Sequence, residues 1–308
     1  MTTMLREIDA RTNLAGTNQI ELLLFHLGTK ETFGLNVFKV QEIVTMPTIT
    51  HLPETDPRIL GLVTIRNNSI AVVDLHACLK LSAAETAGSK GFLVLTHYSN
   101  SVQAFYVSDV DRIMRTSWTE IKTPPAVIRA QSQGMITGVT VDDRGQTILI
   151  PDVEKILMDL QPAHQDGTYA RITAQPSIHQ KTVLFVDDSS VARTQIRKTL
   201  EQIGVRFVQA TTGQEAWRYL SASLEEGPAS GPPQVDLVLS DIEMPEMDGF
   251  TLTQHIRATP ALSRIPVILH SSLTGQCNQK KGQQVGATDY VTKFEPEQLA
   301  LAVTRHLG

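Results

Sequence analysis

The chain has 308 residues, room for two domains at a typical size of roughly 150 residues each. With 19% charged and 41% hydrophobic residues it is too apolar for a disordered chain or a coiled coil, and 27 basic against 32 acidic residues offer no electrostatic footprint for nucleic acid or an anionic membrane. Cys78 and Cys277 match no zinc or disulfide spacing, no apolar run approaches the ~18 residues that span a bilayer, and the charged start lacks a signal peptide's apolar core, so a cytoplasmic location is expected.

Residues 1–18 are polar and read as a loose lead-in. Residues 19–160 read as β-rich. The run Ile20–Leu27 ends at Gly28-Thr-Lys-Glu31, and Phe33, Leu35 and Val37 then alternate as in a hairpin with one buried face. Val40, Ile43 and Val44 have helical spacing and stop before Pro47. Gly61–Ile65 and Ile70–Val73 predict a second hairpin across Asn67-Asn68, with Asp74 capping a short helix from Leu75. Gly91–Thr96 and Val102–Val107 predict a third hairpin around Ser99-Asn-Ser101. Val139–Val141, the turn Asp142-Asp-Arg-Gly145, Gln146–Ile150 and the cap Asp152 then repeat strand, turn, strand and capped helix. The block is therefore expected to form two related small β-barrels, the alternative being an ordinary sandwich.

Residues 161–180, QPAHQDGTYARITAQPSIHQ, have the composition of a flexible linker. In 181–308 short apolar runs alternate with amphipathic segments: runs at 183–186, 205–208, 235–239, 266–269 and 289–292, helices at 190–203, 213–224, 249–259, 273–285 and 295–307. Five strands and five helices in strict alternation predict a doubly wound α/β domain, which places its ligand at the carboxyl ends of the strands.

Those ends carry chemistry. The first run ends in Asp187-Asp188, the third in Asp241, the fourth in His270-Ser271-Ser272 and the fifth in Lys293. Hard carboxylate oxygens of this kind suit Mg²⁺. Asp241 is positioned as a covalent nucleophile able to form an acyl phosphate, with Lys293 neutralising and Ser271 donating to the incoming phosphoryl oxygens. Taken singly, Asp188 or Ser189 reads equally as a helix cap and Lys293 as a solvated strand end. Four complementary strand ends on one sheet weigh against that blander account.

The stretches Leu184-Phe-Val-Asp-Asp188, Leu237–Gly249, Pro266–Ser271 and Gly286–Lys293 resemble the receiver domains of two-component response regulators over the whole of 181–308. The resemblance implies that Asp241 accepts a phosphoryl group from a histidine kinase. It also implies that Asp187, Asp188, Asp241 and the backbone carbonyl of Glu243 hold Mg²⁺, and that Ser271 and Tyr290 form a switch pair. Phe294 stands where receivers usually have proline, so the final loop is expected to differ in shape.

Phe33–Val37, Val40–Val44 and Leu60–Arg66 with Ile70–Leu75 in turn look like the CheW coupling domain, a pair of five-stranded barrels that links chemoreceptors to the sensory histidine kinase. Arg66 matches that family's partner-contacting arginine, while Asn67 replaces its usual glycine. A surface arginine paired with a local carboxylate is the plainer reading of Arg66. The order of coupling domain, linker and receiver is similar to that of CheV proteins, and it implies an adaptor at receptor–kinase arrays rather than an enzyme with its own substrate. A phosphate sink draining the kinase is the second possibility. A dehalogenase-type hydrolase needs a second Asp two residues after the nucleophile, where this chain has Glu243. No nucleotide-binding loop and no HExxH motif occur.

Overall fold

A computed structural model describes residues 18–82, 91–98, 101–160, 176–225, 234–271, 276–293 and 295–308. Two compact units emerge, one from Ile20–Thr116 with Glu120–Pro162 and the other built on Ala163–Gly308.

The first unit runs β1 (Gln19–His26), β2 (Thr32–Asn36), β3 (Val40–Thr45), β4 (Ile59–Ile65), β5 (Asn68–Asp74), α1 (Leu75–Cys78), β6 (Phe92–Tyr98), β7 (Ser101–Val107), β8 (Asp109–Ser117), α2 (Ala126–Gln131), β9 (Ile136–Val141), β10 (Thr147–Pro151) and α3 (Val153–Leu160). These strands form two five-stranded sheets, ordered β8-β1-β2-β10-β9 and β3-β6-β7-β5-β4. The two orders are equivalent. In each, the second strand of an antiparallel hairpin (β1–β2 or β6–β7) pairs in parallel with a strand that leads into a capped helix (β10 or β5). Asp152 accepts from the Lys155 N–H at 2.9 Å and Asp74 from the Ala77 N–H at 3.3 Å. One sheet is a circular permutation of the other, because β3 through β7 are inserted between β2 and β8.

Each sheet closes on itself through the chain that follows its outer strand. Thr50, beyond β3, exchanges both backbone hydrogen bonds with Leu62 of β4 at 2.8 and 2.9 Å, and Lys122, beyond β8, does the same with Val139 of β9. The residue before each acceptor is a glycine. A Cβ at Gly61 would run into the Thr50 carbonyl, and one at Gly138 would lie 2.8 Å from Ile121 Cγ2. Closure removes exposed sheet edges, as small barrels require. In the first barrel Leu22 and Ile148 are fully buried on one face of the sheet and Phe25 and Phe33 stack on the other (5.9 Å between centroids), while Val63, Val72, Leu93 and Ala104 fill the second.

Three expectations change here, and one strand was not expected at all. Val40–Thr45 is a strand: a bulge between Val40 and Glu42 breaks the two-residue alternation, which left a helix-like spacing in the sequence. β8 alternates between exposed and half-buried positions with none buried, so no apolar stripe announced it. The β4–β5 turn is Arg66-Asn67, φ +50° and +66°, with Asn68 already paired to Ile65. Residues 1–17, the turn residues 99–100 and linker residues 161–175 lie outside the described residues. The tail of the expected linker belongs instead to the second unit, because Pro176–Ile178 forms a 3₁₀ turn whose Ile178 is sealed in that unit's core.

The second unit alternates β11 (Thr182–Val186), α4 (Ser190–Ile203), β12 (Arg206–Ala210), α5 (Gly213–Glu225), β13 (Leu237–Ser240), α6 (Gly249–Ala258), β14 (Val267–Ser271), α7 (Gln276–Gln284), β15 (Asp289–Thr292) and α8 (Pro296–Leu307). The sheet is wholly parallel in the order β12-β11-β13-β14-β15. α4 shows why these helices form: Ser189 caps it, Ile196, Leu200 and Ile203 face the core, and Gly204 at φ +78° ends it. Helices cover both faces, so the central strands are apolar throughout, each buried Val, Leu or Ile side chain contributing roughly 1.5–3 kcal/mol. The order reverses between β11 and β13, where an open α/β sheet leaves a crevice at its carboxyl edge.

Candidate functional site

Strand register builds the site. Val186 of β11 pairs with Ser240 of β13, so the residues one step beyond, Asp187 and Asp241, stand side by side. Ser271 of β14 pairs with Thr292 of β15, and the Lys293 N–H donates to the Ser271 carbonyl at 2.9 Å. Lys293 Nζ then lies 3.0 Å from Asp187 Oδ2 and 2.9 Å from Asp241 Oδ2. All three side chains are sealed, with exposures of 2%, 0% and 4% for Lys293, Asp187 and Asp241. Lys293 is therefore no solvated strand end.

Asp188 completes a carboxylate cluster with Asp187 and Asp241, ligand oxygens from all three lying within 4.8 Å of one another. Among the described residues this is the one group of His, Cys or acidic side chains close enough to hold a metal ion. Three carboxylates against one ammonium leave an excess of negative charge at a site largely shielded from water, where repulsion is weakly screened. An oxygen-seeking divalent cation fits that donor set.

The helix cap at this edge is Ser189, which frees the aspartates for other work; its own N–H donates to Asp187 Oδ1 at 2.9 Å. Asp241 is oriented by the Ile242 N–H, 2.7 Å from Oδ1. The loop after it is clamped by two glycines. A Cβ at Gly249 would collide with the Asp241 carbonyl and one at Gly213 with the Met247 carbonyl. Asp248 caps α6 by accepting from the Thr251 N–H at 2.7 Å and its hydroxyl at 2.9 Å, while burial pushes its carboxyl above the usual range. The glycine pair was not recognised in the sequence, although Gly249 at the first position of a helix, a poor place for glycine, is a readable signal.

Tyr290 hydrogen-bonds to Ser271, linking the two expected switch residues. Burial pushes its phenol up to about 12; the Ser271 bond opposes this shift, and the nearby Asp241 and Glu243 carboxylates reinforce it. Glu243 is itself buried two residues beyond Asp241. Ser272 and Phe294 lie outside the described residues, and with them the expected change in the final loop.

Arg66 belongs to the other unit, at the tip of the β4–β5 hairpin, with its side chain 72% exposed and Nη2 2.9 Å from Glu42 Oε1. That pairing is the local carboxylate contact of the plainer reading. The left-handed conformation of Arg66 is uncommon outside glycine, asparagine and aspartate.

Residues 21–161 match the CheW-like domain family and residues 183–304 the response regulator receiver domain. Chemotaxis protein CheV3 of Helicobacter pylori is 29% identical over 94% of this chain and 95% of its own length. CheV2 of the same organism is 28% identical over the same shares. The chain joins a CheW-like domain to a receiver domain and is similar to CheV proteins over nearly its whole length. Its receiver portion is also 32% identical to chemotaxis protein CheY1 of Helicobacter pylori, over 38% of this chain and 89% of that protein. The fold agrees with the expected class, an all-β pair of barrels followed by a doubly wound receiver. No helix among the described residues is long and apolar enough to cross a membrane.

Proposed function

We propose that this protein is a chemotaxis adaptor: its CheW-like domain joins chemoreceptors to a sensory histidine kinase, and phosphorylation of Asp241 adjusts that coupling. The observation that carries the reading is the sealed Lys293 bridge between Asp187 and Asp241 beside a third carboxylate. A buried ion pair is a poor source of stability, since the desolvation of both charges offsets most of their attraction. Such an arrangement suits charge that arrives during a reaction.

In this proposal a carboxylate oxygen of Asp241 attacks the phosphorus of the kinase's phosphohistidine. The new P–O bond gives an acyl phosphate, the P–N bond breaks, and the electron pair leaves with the imidazole. Asp187, Asp188, Asp241 and the Glu243 backbone carbonyl would hold Mg²⁺, which would supply positive charge to offset carboxylate–phosphate repulsion. The Ile242 N–H keeps the Asp241 carboxylate oriented, and Lys293 already touches it from the far side. Ser271 stands one strand away, hydrogen-bonded to Tyr290, so a change at one member of that pair is passed to the other. The CheW-like barrels carry no comparable cluster among their described residues, which suits protein contact, with Arg66 as an exposed anchor of the kind enriched in binding hot spots. The expected place of action is the cytoplasmic side of receptor–kinase arrays, with no membrane insertion and no nucleic acid partner.

The test is phosphotransfer from a purified chemotaxis-type kinase carrying labelled phosphate, with Mg²⁺. Wild-type protein takes up label, and Asp241→Asn takes up none. Full labelling of the variant would overturn the assignment of Asp241.

A further inference from the structure

Arg193 lies in the first turn of α4, and the reaction described above assigns it nothing. Its Nη1 donates to the main-chain carbonyl of Asp187 at 2.8 Å, and it is half-buried. The β11 ladder is already loosening one peptide earlier, where the Asp187 N–H reaches the Ala210 carbonyl only at 3.4 Å, long for a hydrogen bond. The Asp187 side chain is fixed independently, with Oδ1 on the Ser189 N–H at 2.9 Å and Oδ2 on Lys293 at 3.0 Å. What Arg193 holds is therefore the plane of the peptide joining Asp187 to Asp188. A peptide plane is rigid, so fixing its carbonyl fixes where the next Cα, the one that carries the Asp188 side chain, is placed. Asp188 is the half-buried member of the carboxylate cluster, the other two being sealed.

We infer that Arg193 is a positioning residue for the cation site: it orients the 187–188 peptide so that the Asp188 carboxylate converges on those of Asp187 and Asp241. The inference rests on the reading of that cluster as a Mg²⁺ site. It separates cleanly from a purely electrostatic role. A guanidinium near a cation site repels the cation, so if Arg193 acted through its charge alone, removing it would tighten Mg²⁺ binding. Positioning predicts the opposite sign.

Mg²⁺ is titrated calorimetrically into the full-length protein, as wild type, Arg193→Ala and Arg193→Lys, with thermal unfolding of each recorded in EDTA. The alanine variant is expected to bind Mg²⁺ about tenfold more weakly, the lower end of what losing an outer-shell partner does to metal affinity. Lysine, a single flexible donor that can still reach the carbonyl, is expected to recover part of the loss. Affinity in the alanine variant equal to or tighter than wild type would overturn the inference. If the alanine variant does not fold, Arg193→Met decides in its place: it keeps the apolar stem but neither donor nor charge, so weaker binding supports positioning, and equal or tighter binding refutes it. Wild-type protein that takes up no Mg²⁺ would instead sink the cation-site reading, a result distinct from a variant that matches wild type.

Discussion

The two units have exposed ion pairs in common, but they differ in what they seal. In the CheW-like barrels the buried Glu154 and Glu21 meet Lys39 and Arg115, cations that reach toward solvent, and the Arg66–Glu42 pair sits at a hairpin tip. At the receiver's strand ends both partners are sealed: Lys293, Asp187 and Asp241 have lost nearly all contact with water. The first pattern is the ordinary economy of a surface, where an exposed pair contributes about 1 kcal/mol or less. The second sacrifices solvation without a matching gain in stability, and it does so where a sheet reverses its strand order. Sealed charge marks chemistry, and exposed charge at a turn leaves room for a partner.

Perturbing each region should widen that contrast. Gly249→Ala is expected to have the largest effect, about 3 kcal/mol lost from the receiver in urea unfolding, because the added Cβ meets main-chain atoms of Asp241 and Ile242 and no flexible side chain that could give way. A loss below about 1 kcal/mol would show that the loop is pliant and the site less rigid than described.

Tyr290 comes next. Its phenol is raised from 10.0 to about 12, so the unfolded chain releases this proton first and stability falls as pH rises through that window. The contribution is intact below pH 10 and amounts to on the order of 2 kcal/mol when fully lost. Unfolding of wild type and Tyr290→Phe between pH 9 and 12 measures it, and parallel pH profiles would remove the buried phenol from the account.

In the barrels, Asp152→Ala is expected to cost about 1 kcal/mol and Asp74→Ala less, since both are helix caps but the Asp152 bond is shorter and its helix longer. Equal losses would argue that the two halves are energetically as well as topologically equivalent. The smallest stability effect belongs to Arg66→Ala, within about 0.5 kcal/mol, although capture of the receptor–kinase complex should fall. Unchanged capture would leave Arg66 as nothing more than the partner of Glu42.

Legibility in the sequence followed the same division. The receiver strands are near-continuous apolar runs, so the residue that ends each one could be read directly, and Asp187, Asp241, Ser271 and Lys293 fell at those ends. The barrels were harder because their signals are local and interrupted. The bulge after Val40 disguised β3, the charged alternation of β8 hid a strand, and the β4–β5 turn lay one residue earlier than the asparagine pair suggested. Burial also overrode composition at Ile178, which a polar neighbourhood had assigned to the linker. Arg193 carried no signal of its own, since an arginine one turn into a helix is ordinary until its carbonyl partner is known.

The most direct test of the central claim is kinase activity in a reconstituted complex of receptors, kinase and this protein, with Mg²⁺ and a stable phosphoryl mimic in place of phosphotransfer. No phosphate is drained under those conditions, so only coupling can respond. The account predicts that the mimic changes kinase activity with wild-type protein and leaves it unchanged with Asp241→Asn. Activity indifferent to the mimic, from a protein that still accepts labelled phosphate at Asp241, would contradict regulated coupling and identify the receiver as a phosphate sink.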